Sequence, residues 1–71
     1  MVNVNLLRDK IEEVGIPVAV VAEKSGMSRE TLYNRFDKPN SFKASEIQSL
    51  TLILHMTKEE RDDIFFANNS E

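Results

Sequence analysis

Apolar positions along the chain recur at helical rather than strand spacing. Leu7, Ile11 and Val14 fall at i, i+4 and i+7, behind Asn5 and ahead of Gly15, which predicts a first helix with an asparagine cap and a glycine stop. Pro17 pre-sets the backbone for a second start, and residues 18–25 make two turns before Gly26. The valines at 18, 20 and 21 suit a strand by propensity, but Ala19, Ala22, Glu23, Lys24 and the nearby Gly26 tip the segment to helix. Ser28 is the best cap in the chain, its hydroxyl placed to accept from the Thr31 backbone N–H while Glu30 favours the positive helix end. It predicts a helix over 29–36 with Leu32 and Phe36 as buried knobs. Asp37-Lys38-Pro39-Asn40-Ser41 reads as the one clear loop. In residues 44–54, Ile47, Leu50 and Leu54 keep the helical spacing and Glu46 supports the first turn, which predicts the central and most buried helix. Thr57 with Glu60 three residues on is a capping box and opens a last helix through Ile64, Phe65 and Phe66. Adjacent helical positions cannot both point inward, so one of those two phenylalanines is spare. Residues 68–71 read as a frayed tail, and nothing in the chain repeats.

The expectation is therefore all-α: a five-helix bundle with no sheet. Its predicted core is Leu7, Ile11, Val14, Val21, Ala22, Met27, Leu32, Phe36, Ile47, Leu50, Leu54 and Ile64.

Composition narrows the function classes. With 71 residues, no cysteine and a single histidine, His55, the chain reads as one domain over 1–71, with a core of about 5–67 and neither a disulfide framework nor a Cys/His zinc site. Hydrophobic packing must hold it. At 41% hydrophobic and 30% charged residues it falls in the globular range. No apolar run suits a membrane span and the N-terminus lacks the blocks of a signal peptide, so no membrane partner and a cytoplasmic location are expected. Glu59, Glu60, Asp62 and Asp63 form an acidic run without a histidine beside it, which reads as a solvated face. His55 is expected at the C-terminus of the fourth helix, where a helix dipole favours a cation. No nucleophile, base and orienter stand together, so the expectation is no enzyme, no cofactor and no metal. The formal net charge of −3 weighs mildly against a nucleic-acid partner, yet residues 24–43 carry five basic side chains against two acidic ones. The positive charge is confined to the middle of the chain.

That middle segment carries the one motif. Two short helices joined by Gly26-Met27-Ser28 form the arrangement in which a first helix braces a second against the DNA major groove. Ala22 suits a close helix crossing, Gly26 a left-handed turn, Met27 a plugged corner and Leu32 an anchor to the core. The stretch Val18-Ala19-Val20-Val21-Ala22-Glu23-Lys24-Ser25-Gly26-Met27-Ser28-Arg29-Glu30-Thr31-Leu32-Tyr33-Asn34-Arg35-Phe36 resembles helix two, turn and recognition helix of the lambda-repressor/Cro-like, or XRE-type, helix-turn-helix family. Pro39-Asn40-Ser41-Phe42 before an apolar helix, and Met56-Thr57-Lys58-Glu59-Glu60-Arg61, look like that family's fourth and fifth helices, so the resemblance covers about residues 5–66. It implies a five-helix lambda-repressor-like bundle and sequence-specific double-stranded DNA binding by a transcriptional regulator of phage or prophage type. It also implies a homodimer, for which the spare phenylalanine on the C-terminal helix offers a contact. The chain departs from the family at Pro17 and Val18, where many members have a threonine cap and a glutamine. It departs again at Arg35, where an apolar residue is common and Phe36 takes over its role.

Burying Leu32 and Phe36 turns Glu30, Thr31 and Asn34 outward, while Ser28 and Arg29 project from the helix end. Arg29 can fork onto guanine, Asn34 onto adenine, and Tyr33 can touch a thymine methyl or a phosphate. Lys38 and Lys43 flank the loop as phosphate clamps, with Arg35 a third candidate. A rival reading stays open: a helical protein-interaction module of the same fold that has lost DNA binding. Its support is the net charge, the missing polar residue at Val18, and the exposed valine surface that Val18 or Val20 implies. In that reading Arg29, Arg35 and Lys38 pair with Glu30 and Asp37 as a solvated face, and Tyr33 is half-buried packing.

Overall fold

The structure is a computed structural model in which residues 2–66 are described. Five α-helices follow in order, α1 (Val4–Val14), α2 (Val18–Lys24), α3 (Arg29–Asp37), α4 (Ala44–Ile53) and α5 (Lys58–Phe65), with a 3₁₀ turn at Pro39–Ser41 between α3 and α4. No strand occurs among the described residues. The longest helix has 11 residues, too short to persist in water alone, so the ends of each helix and the shared core must specify it. The expected tail at 68–71 lies outside the described residues.

The helix ends depart from expectation at the start of the chain. The cap of α1 is Asn3, not Asn5: its side-chain oxygen accepts from the Leu6 N–H at 3.1 Å. The reason is tertiary, because the Asn3 backbone N–H donates to the Ile64 carbonyl of α5 at 2.6 Å and holds Asn3 extended ahead of the helix. Asn5 is left exposed inside the first turn. Ser28 and Thr57 cap α3 and α5 as expected, accepting from the N–H groups of Thr31 and Glu60 at 3.0 Å each.

One turn is used twice. At the end of α2, the Met27 N–H donates to the Ala22 carbonyl at 2.9 Å and the Gly26 N–H to the Glu23 carbonyl at 3.1 Å. At the end of α4, Met56 donates to Thr51 at 2.9 Å and His55 to Leu52 at 3.2 Å. Both are the paired 6→1 and 5→2 bonds that close a helix through one left-handed residue. That residue is Gly26 at φ +76° in the first turn and His55 at φ +53° in the second. Each turn drops a methionine into the core and hands the chain directly to a hydroxyl cap, Ser28 or Thr57. The sequence shows no repeat, yet Gly26-Met27-Ser28 and His55-Met56-Thr57 are the same device.

Ten of the twelve expected core residues are buried. Val14 and Ile47 are only half-buried, packed at the edge of the cluster, and their places are taken by Met56 and Phe65. Met56 enters because the left-handed turn aims it inward, which helical periodicity cannot register. Phe65 is buried and Phe66 is 56% exposed, as adjacent positions require. The helix expected to be most enveloped, α4, buries Leu50 completely but leaves Leu52 70% exposed, so one of its faces is open. Val18 and Val20 do not form the exposed valine surface considered above; both are half-buried, and Val18 packs against the core.

Of the three left-handed positions, Gly15, Gly26 and His55, the last two predict substitutions of opposite sign. Nothing lies within 4 Å of where a Cβ at Gly26 would sit, so Gly26→Ala is strained by its backbone alone and should destabilise by about 1 kcal/mol. His55→Gly relieves the same strain and should stabilise by about 0.5 kcal/mol after the added freedom of the unfolded chain is subtracted. Urea midpoints of the two variants against the parent check this, and a destabilised His55→Gly would show that the imidazole contributes more than its backbone costs.

Candidate nucleic-acid interface

Helix α3 packs on α2 and is anchored in the shared core by two knobs. Leu32 is fully buried and Phe36 nearly so, and the small side chain of the buried Ala22 leaves room for α3 beside α2. Because residues 30, 34 and 37 repeat at helical spacing on the side away from those knobs, Glu30, Asn34 and Asp37 form the outer ridge of α3, and all three are exposed. Arg29 stands at the N-terminal end of this face and Tyr33 along one flank. The structure therefore brings Arg29, Glu30, Tyr33 and Asn34 onto one open surface. Lys38 and Lys43 are exposed on either side of the 3₁₀ turn.

Other predicted residues are otherwise engaged. The Ser28 hydroxyl, besides capping the helix, donates to the Thr31 hydroxyl at 2.9 Å, so its single donor is spent within the turn. Thr31 is half-buried and keeps its own hydroxyl proton to donate. Arg35 departs furthest from its expected role as a phosphate clamp. Its Nε donates to Glu46 Oε1 at 2.9 Å and an Nη to Oε2 at 3.0 Å, a fork against a carboxylate on α4. Those side chains are only 18% and 10% exposed. Arg35 sits on the side of α3 that faces α4, and a planar guanidinium matches a carboxylate there better than solvent does. Glu46 also accepts from the Lys43 backbone N–H at 2.9 Å, so a single carboxylate opens α4 and ties it to α3.

A residue outside the motif joins the surface. Arg8 of α1 lies over the rim of α3, its guanidinium carbon 5.1 Å from the Phe36 ring centre and 5.9 Å from that of Tyr33. Arg29 approaches the same Tyr33 ring at 5.7 Å. Tyr33 in turn meets Phe36 edge-on at 5.6 Å. The tyrosine is thus both packing and surface, 37% exposed and flanked by two cations. Among the described residues neither Arg8 nor Arg29 forms an ion pair, although Glu30 and Asp37 stand on the same helix face. No spacing within α1 announces the Arg8 contact; it exists only because α1 and α3 meet.

Elsewhere the carboxylates of the acidic run are divided among separate tasks. Glu60 completes the capping box on Thr57 and pairs with Lys10 of α1 at 2.9 Å, while Asp62 pairs with Arg61. No group of three or more potential metal ligands occurs among the described residues.

The Arg35 guanidinium, bonded to both oxygens, holds the Glu46 carboxyl below its ordinary value of 4.5; burial opposes this, and the Lys43 N–H adds to it. A carboxyl whose folded pKa is depressed stabilises the fold above its unfolded pKa and loses that contribution as pH falls through the folded one. Glu60 is depressed in the same sense, chiefly by its bond from the Thr57 N–H and then by Lys10. The protein should therefore lose stability below about pH 4.5 on acidification. Glu46→Gln should be less stable at neutral pH and show a shallower decline in urea midpoint between pH 6 and pH 3. An acid limb as steep as the parent's would mean that other carboxyls carry it.

Searches against protein-family models, curated proteins and solved structures find no match to this chain, so its reading rests on its own residues.

Proposed function

We propose that this chain is a sequence-specific DNA-binding regulator of the lambda-repressor-like, helix-turn-helix kind, in which α2 braces α3 and α3 enters the major groove of double-stranded DNA. The observation that carries the reading is the open face of α3, where Arg29 at its start and Tyr33 and Asn34 along its length share one surface of a helix that α2 and the Gly26 turn hold from behind. Arg29 has the fork for guanine O6 and N7, Asn34 the amide for adenine N6 and N7, and Glu30 an acceptor for the amino group of cytosine. Lys38 and Lys43 bracket the 3₁₀ turn as phosphate contacts. The exposed Leu52 and Phe66, which line a groove with Phe42 and Ile47, are an apolar surface for a homodimer through α4 and the C-terminal helix.

A second reading has its own observation. Glu30 and Asp37 occupy the outer ridge of α3 with Asn34, so the cationic surface is interrupted where DNA would approach most closely. A helical protein-interaction module facing a basic partner accounts for that ridge.

Binding measured on selected and random duplexes at several salt concentrations separates these. Arg29→Ala should weaken the preferred site by about 1–3 kcal/mol and relax preference at one base, with little change on random DNA. Lys38→Ala and Lys43→Ala should each weaken all sequences alike and lower the salt slope by about one unit. No binding by the parent at low salt would hand the case to the protein-interaction reading. Sedimentation of the DNA complex should give two chains per selected site; one chain per site would reject the dimer.

A further inference from the structure

We infer that Arg8 carries the DNA contact from α3 onto α1, taking one backbone phosphate in the groove between the two helices. The inference rests on the DNA-binding reading above and adds a residue that the helix-turn-helix segment does not contain. The groove, about 390 Å³ in volume, is walled by Val4, Asn5 and Arg8 on one side and by Tyr33, Asn34 and Asp37 on the other, with Phe36 at its base. Three features make it an anion site and not merely a crease. The Arg8 guanidinium is held over two ring faces, 5.1 Å from Phe36 and 5.9 Å from Tyr33, which pre-orients it without using any of its hydrogen-bond donors. Among the described residues no carboxylate pairs with it, so its five N–H groups remain available to a phosphate. And it is one of two cations on the Tyr33 ring, Arg29 being the other at 5.7 Å, so the strand that passes Arg29 at the start of α3 meets a second positive group beside it on α1. Asp37 also lines the groove, and no ion pair joins it to Arg8 among the described residues.

The chemistry differs from that of Arg29. A guanidinium held at the rim of α3, and belonging to another helix, reaches the sugar-phosphate edge and carries no base preference. The test compares Arg8→Met, which keeps the apolar stem over the rings, with Arg8→Lys, which keeps the charge. On both the selected and a random duplex, Arg8→Met should bind about three- to tenfold more weakly at moderate salt, with its salt slope lower by about one unit and its melting temperature close to the parent's. Arg8→Lys should recover most of the slope. An unchanged slope in Arg8→Met, or a loss confined to the selected duplex, overturns the phosphate assignment while leaving the parent's binding intact. So does weakening in both variants that follows a fall in melting temperature, which would make Arg8 a packing residue. Absence of binding by the parent itself at low salt is a different failure, that of the DNA reading, and removes this inference with it.

Discussion

The left-handed turn that closes α2 decides where everything else can go. By taking φ to +76°, Gly26 lets the Met27 N–H reach back to the Ala22 carbonyl, sends the Met27 side chain into the core and leaves Ser28 extended to cap α3. Two short helices that could not hold their shape alone are thereby joined through one buried side chain and one hydroxyl. The chain repeats the device at His55, where a non-glycine residue tolerates the left-handed region because both turn bonds and the buried Met56 over-determine it. α3 and α5 both inherit their positions from such a turn. The face that α3 presents is thus a consequence of α2's ending.

Polar contacts provide what disulfides or a metal provide in other domains of this size. The fork between Arg35 and Glu46 fixes the C-terminal half of α3 to the first turn of α4, and Lys10 with Glu60 ties α1 to α5. One link joins consecutive helices and the other joins the first helix to the last, and in each the carboxylate also caps its own helix. The double use economises on burial, since one desolvated carboxylate satisfies both a backbone donor and a cation. Surface pairs of this kind contribute little singly, but Arg35 and Glu46 are withdrawn far enough from water for their geometry to matter.

The candidate interface is shaped by competing charges. Arg8 and Arg29 gather on the Tyr33 ring, whereas Glu30 and Asp37 occupy the outer ridge beside Asn34. A surface built only for non-specific attraction to phosphate would not carry those carboxylates, because each subtracts from the field that releases counterions. They suit a site that discriminates, rejecting some base edges or some partners by leaving a charge unmatched. Arg35, the second cation of α3, is spent on Glu46.

Local physics made most of the fold legible in the residues themselves. Ser28 and Thr57 declare helix starts through their own hydroxyls, and Gly26 declares a turn through its backbone freedom. Leu7, Leu32 and Leu50 declare a core through spacing, because each depends on neighbours within a few residues. What escaped depends on contacts between segments. Asn3 displaces Asn5 as a cap because its backbone reaches Ile64, Met56 is buried by a turn and not by periodicity, and Leu52 is exposed because no helix among the described residues covers that side of α4. The same divide runs through the candidate site. Arg29, Glu30 and Asn34 are outward on α3 once Leu32 and Phe36 are known to be inward, so the sequence by itself determined them, whereas Thr31, expected outward, is half-buried and Tyr33 packs one edge on Phe36. Only the tertiary structure withdrew Arg35 to Glu46 and brought Arg8 across from α1, since a side chain's partner on another helix has no fixed distance along the chain.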